Sequence, residues 1–159
     1  MEDKGETVAC VIGNIHFEAV RTSLERPGDE PATSDTITAL MRAALIGHTQ
    51  AIILLLDRGV DPNSKDESGR TPLMEAIFAG HTDTIEALLE RGADPNIADE
   101  CGWTALMEAA SKGHCEIVKL LLAHNADVNA RTNRGWTVLK TTLKGNAAIT
   151  KILKEAGAR

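Results

Sequence analysis

The chain has 159 residues, 43% apolar and 25% charged, with a formal net charge of −6; that is enough apolar material for one core and the wrong sign for general binding to nucleic acid phosphates. Its four aromatic residues are Phe17, Phe78, Trp103 and Trp136, with no Tyr, so a core must be built from aliphatic side chains and Met. The longest purely apolar run, Ala51 to Leu56, is too short to cross a membrane, and the opening Met-Glu-Asp-Lys-Gly-Glu lacks the basic-then-apolar order of a secretory signal.

Residues 1–33 read as a degenerate helical capping unit followed by a loop. The stretch from Glu18 to Arg26 spaces its apolar residues as Glu116 to Leu122 does, with two extra residues near Ile15 to Phe17. A β-hairpin turning at Gly13-Asn14, between Val8–Ile12 and Ile15–Val20, is the alternative. The helical cap is preferred because a lone hairpin would leave the next unit uncovered. Pro27-Gly28-Asp29-Glu30-Pro31 is a surface loop. Cys10, Cys101 and Cys115 are odd in number and lack Cys-x-x-Cys spacing, as expected for free thiols in a reducing cytoplasm.

From residue 34 the chain repeats itself. Thr38, Thr71, Thr104 and Thr137 recur every 33 residues, as do Leu40, Leu73, Leu106 and Leu139. Gly47-His48, Gly80-His81 and Gly113-His114 keep the same interval, and Asp61-Pro62-Asn63 returns as Asp94-Pro95-Asn96 and Asp127-Val128-Asn129. The units are 34–66, 67–99, 100–132 and 133–159. In the second, Thr71 is a helix N-cap with Pro72 at the first helical position. Leu73, Ala76 and Ile77 form one apolar stripe, and Gly80 ends the helix. Thr82 or Asp83 caps a second helix carrying Ile85, Leu88 and Leu89. Helices this short are marginal alone, so the units must stack into a one-dimensional solenoid.

The end units depart from this pattern. The first has Thr36 where a turn glycine is expected, which predicts an irregular leading turn. It also carries Ile53 where the others have Glu86, Lys119 and Lys151, consistent with packing against residues 1–33. The last unit is one residue shorter between Thr137 and Gly145. It places Lys140, Thr141, Thr142 and Lys154 at otherwise apolar or acidic slots, the polar outer face a terminal unit needs. Residues 67–99 carry seven acids and two bases, −5, whereas residues 133–159 carry one acid and six bases, +5. The long axis therefore runs from acidic to basic.

No catalytic constellation emerges. His48, His81 and His114 fall on successive units, too far apart to share one zinc ion, and read as turn residues bonding backbone between units. Glu75 and Glu108 share one slot and read as facing solvent or a partner. The glycines are helix stops, not a phosphate cradle.

The runs Gly69-Arg70-Thr71-Pro72-Leu73, Gly102-Trp103-Thr104-Ala105-Leu106, Gly113-His114, Leu120-Leu121-Leu122 and Ala126-Asp127-Val128-Asn129 resemble the ankyrin repeat, over about residues 34–159. Met41, Met74, Met107 and Lys140 stand where that family often has His. The resemblance implies an all-α solenoid of stacked helix-turn-helix units joined by β-turn loops. It also implies a non-catalytic protein–protein interaction module (adaptor, inhibitor or regulatory subunit), monomeric alone and without cofactor or metal, that binds an unnamed partner protein on a concave face. Its contact slots map onto Ile37, Arg70, Trp103 and Trp136 before the repeated Thr. They map onto Arg42, Glu75 and Glu108 in mid-helix, and onto Leu45, Phe78, Ser111 and Lys112 before the repeated Gly. Asn129, eight residues after Leu121, looks like the sites used by asparaginyl hydroxylases. Two other readings are a small-molecule or nucleotide sensor stacking its ligand on Trp103 and Trp136, and a designed binder. The uneven units favour a natural chain over the latter.

Overall fold

The computed structural model describes residues 34–142 and 146–159. The alternatives for residues 1–33, and the packing of Ile53 against them, lie outside the described residues. Eight helices are present among those described: α1 (Ser34–Ile46), α2 (Thr49–Asp57), α3 (Pro72–Ala79), α4 (Thr82–Glu90), α5 (Ala105–Lys112), α6 (Cys115–Ala123), α7 (Val138–Thr141) and α8 (Ala147–Glu155). They form four pairs. The leading helices α1, α3, α5 and α7 pack on one another in a row, while α2 packs on α4 and α6 on α8. The result is an all-α solenoid.

The apolar stripes read from the sequence form its core. Leu40, Leu73, Ile77, Leu106, Ile85, Leu88 and Leu121 are fully buried, as are Met74 and Met107. The stripes of the second and third pairs are covered by the helix pairs before and after them, which supplies the burial that an eight- or nine-residue helix cannot find alone. Thr71 and Thr104 cap α3 and α5 as expected: their Oγ1 atoms accept from the Met74 and Met107 N–H groups. Gly80 and Gly113 end those helices in the left-handed conformation.

Before α3 and α5 the chain makes a turn closed by an aspartate. Asp66 Oδ1 accepts from the Ser68 and Arg70 N–H groups, and Asp99 Oδ1 from those of Cys101 and Trp103. Consecutive turns stack: the Asn133 N–H donates to the Cys101 carbonyl at 2.9 Å, and Asn133 Nδ2 to the Glu100 carbonyl at 2.7 Å. Gly102 lies beneath that contact. Its φ is +78°, and a Cβ there would stand 2.7 Å from the Asn133 nitrogen, so both backbone conformation and space require glycine.

Three expectations are corrected here. The irregular turn expected at Thr36 is helix: α1 (Ser34–Ile46) contains both Thr36 and Thr38, so Thr38 is not its cap. The Thr38 hydroxyl donates to the Ser34 carbonyl, the back-bonding habit of a helical threonine. The cap position of α4 belongs to His81 rather than Thr82 or Asp83, and its side chain makes no cap bond. Instead His81 Nε2 lies 3.2 Å from the Leu45 carbonyl of the preceding pair, the inter-unit role read for the repeated histidines. Thr141, expected on a polar outer face, is buried, with its hydroxyl donating to the Val138 carbonyl.

The loops leaving the trailing helices are tied by the repeated asparagine. Asn63 Nδ2 donates to the Gly92 carbonyl while its Oδ1 accepts from the Asp94 N–H. Asn96 does the same with the Asn125 carbonyl and the Asp127 N–H. The side chain of Asn129 is exposed and accepts from the Arg159 N–H at 3.2 Å.

Candidate partner-binding face

The leading helices end in register. Leu45 and Ile46 finish α1, Phe78 and Ala79 finish α3, and Ser111 and Lys112 finish α5. None of the three large apolar side chains among these is claimed by the core: Leu45, Ile46 and Phe78 are all exposed, Phe78 to 49%. Lys112 places its ammonium 3.7 Å from the centre of the Phe78 ring. The contact is a cation–π pair between neighbouring helix pairs.

Arg70 stands behind that ring. Its Nε donates to Glu75 Oε1, Nη1 is 3.7 Å from Glu108 Oε2, and the guanidinium carbon lies 5.9 Å from the Phe78 ring centre. Partial burial opposes the charge on Arg70, but its hydrogen bond to Glu75 and the charges of Glu75, Glu108 and Asp99 outweigh it and hold the pKa above the ordinary arginine value. The reading of Glu108 as solvent-facing is therefore corrected. Glu108 is only 7% exposed, Glu75 is half-buried, and both are committed to one arginine. Nothing in their shared slot distinguishes them, yet Glu108 is the deeper of the two.

The two tryptophans also part company. Trp103 packs against the core, with its indole nitrogen buried and without a hydrogen-bond partner. Trp136 is 36% exposed, and the Lys140 ammonium lies 5.0 Å from its ring centre. The turn before Trp103 is overlaid by the next turn through Asn133, whereas no described unit follows Trp136. Sequence reasoning missed Lys140 as a face residue. Its signal was the four-residue spacing from Trp136, just ahead of α7, to Lys140 within it.

The remaining slots divide. Arg42 is exposed on α1, and Ile37 is half-buried. The Ser111 hydroxyl donates to the Glu108 carbonyl of its own helix. The described face thus runs from Leu45 and Ile46 across Phe78 and Lys112 to Trp136 and Lys140, with the Arg70 ion pairs closed beneath it. Such a surface can bury apolar side chains and pair with anions. It offers no nucleophile held by a base, and among the described residues no three His, Cys, Asp or Glu side chains come together as a metal site. An open recess elsewhere, along Asn146, Thr150, Lys151 and Lys154 of the last pair, is separate from this face.

A family model described as ankyrin repeats (3 copies) matches residues 7–99, and another described as ankyrin repeats (many copies) matches residues 88–141. A comparison with curated proteins gives no match.

Proposed function

Because the chain belongs to the ankyrin repeat family, whose repeats are generally protein–protein interaction modules, we propose that it acts by binding a partner protein on its leading-helix face, as an adaptor, an inhibitor or a regulatory subunit. The observation that carries this reading is the exposure of Leu45, Ile46 and Phe78 on the leading helices and of Trp136 just ahead of α7, beside a core already complete without them. Large apolar and aromatic side chains left open in a contiguous strip mark an interaction surface, and aromatic residues supply contact area with few rotors to freeze. The turns and helices beneath the strip are held by hydrogen bonds between units. The face is therefore ordered before its partner arrives, and binding carries a small entropic cost.

The test is quantitative capture of partner proteins from lysate of the source cells on three immobilised forms: wild type, a Phe78→Ala/Trp136→Ala variant, and Leu54→Ala. Leu54 is an exposed apolar residue on the trailing helix α2 and serves as the control. The expected result is a set of proteins retained by wild type and Leu54→Ala and lost from the double variant, while all three forms melt as folded proteins. Equal capture by all three would place the contact elsewhere.

A further inference from the structure

The charge on this face is opposite in sign to the charge of the chain. Its two mid-helix acids are spent: Glu75 and Glu108 are both held by Arg70. Lys112 and Lys140 pair with no carboxylate among the described residues, each resting on an aromatic ring instead. A π-face engages one side of an ammonium and leaves N–H donors pointing outward. Arg134, exposed on the last turn, adds a third cation toward this end, against the single exposed Arg42 on α1. The exposed acids Glu67 and Glu100 sit on the turns of the second and third pairs, so the positive floor is flanked by negative turns except at the last pair.

From this geometry we infer that the face takes an extended partner segment that is acidic at one end and apolar at the other. Its carboxylates meet Lys112, Lys140 and Arg134, and its apolar side chains lie on Phe78, Leu45 and Ile46. The inference rests on the interaction-face reading above and adds a ligand chemistry and a direction to it. A carboxylate at Lys112 or Lys140 forms charge-assisted hydrogen bonds with a cation that the ring has already partly stripped of water. Arg70 gives an incoming acid nothing, because its own acids satisfy it, so the segment turns apolar as it passes the second pair. A nucleic acid fits poorly. The cationic patch is short, and residues 67–99 carry −5, which repels a polyanion tracking along the axis.

The test pans a random twelve-residue peptide library on the full chain and measures recovered peptides by fluorescence anisotropy. The expected peptides combine Asp or Glu at one end with apolar residues at the other. Their affinity falls as salt is raised, and Lys112→Glu/Lys140→Glu weakens it about tenfold or more. Lys119→Glu/Lys151→Glu, matched in charge but placed on the trailing helices α6 and α8, leaves it unchanged. Recovery of basic or uncharged peptides, recovery of none, equal loss with the control pair, or competition by a mixed-sequence oligonucleotide as effective as by the peptide itself each overturns the inference. If any of these occurs while Phe78→Ala/Trp136→Ala still abolishes partner capture, the face stands and its acidic ligand falls. Undiminished capture by that variant removes the face itself.

Discussion

In the third helix pair the leading helix α5 runs eight residues, closed in front by the Thr104 side chain and behind by Gly113. In the fourth, α7 runs four residues, and Thr137 makes no side-chain cap bond. The trailing helices show the reverse. His114 ahead of α6 gives no cap bond, whereas Asn146 Oδ1 accepts from the Ile149 N–H and caps α8. An interior pair fixes its leading helix by local caps, and at His81 the start of the trailing helix is turned toward the pair before it. The terminal pair has a shortened leading helix and stabilises its trailing helix by itself. After the repeated glycine, Asn146 serves its own helix, whereas His81 reaches its neighbour.

The sharpest way to break this comparison is at the turn glycines. Gly102 and Gly135 share a left-handed φ, but a Cβ meets the Asn133 backbone only at Gly102; at Gly135 nothing lies within 4 Å. Gly102→Ala is expected to lower stability by about 2–4 kcal/mol, from conformational strain plus backbone overlap. Gly135→Ala should lower it by about 1–2 kcal/mol from strain alone. Urea denaturation of both variants checks the order, and equal losses would mean the stacked turn yields freely. Next in size is Arg70→Leu, which leaves the buried Glu108 without its partner and should cost about 1–3 kcal/mol. Adding Glu108→Gln should return part of that loss, and a thermodynamic cycle over the four proteins reads the coupling. Smallest are the caps. Thr104→Ala and Asn146→Ala are each expected to cost about 1 kcal/mol, with Thr137→Ala only a few tenths.

The helix pairs were legible in the sequence because period, caps and glycine stops are local backbone chemistry repeated in register. The start of α1 was half legible. Thr36 in place of glycine signalled that the leading turn would differ, but not that helix would replace it. The face was legible as a set of slots and not as a set of exposures. Trp103 and Trp136 occupy one slot, yet one is packed and the other open, because the overlying turn and not the residue sets burial. Glu108 was misread for a related reason. The partner it shares with Glu75, Arg70, lies close to Glu75 in sequence but one full unit before Glu108, and a pairing across units leaves no periodic trace.

The asparagine links between loops have a mechanical consequence. Asn63 and Asn96 each place a donor and an acceptor of one amide on the backbone of the next unit. Tilting one unit against its neighbour therefore strains two bonds at once, well away from the strip where Phe78 and Lys112 meet. The angle between successive layers is thus restrained at the loops, and with it the placement of Phe78 and Lys112 on neighbouring pairs.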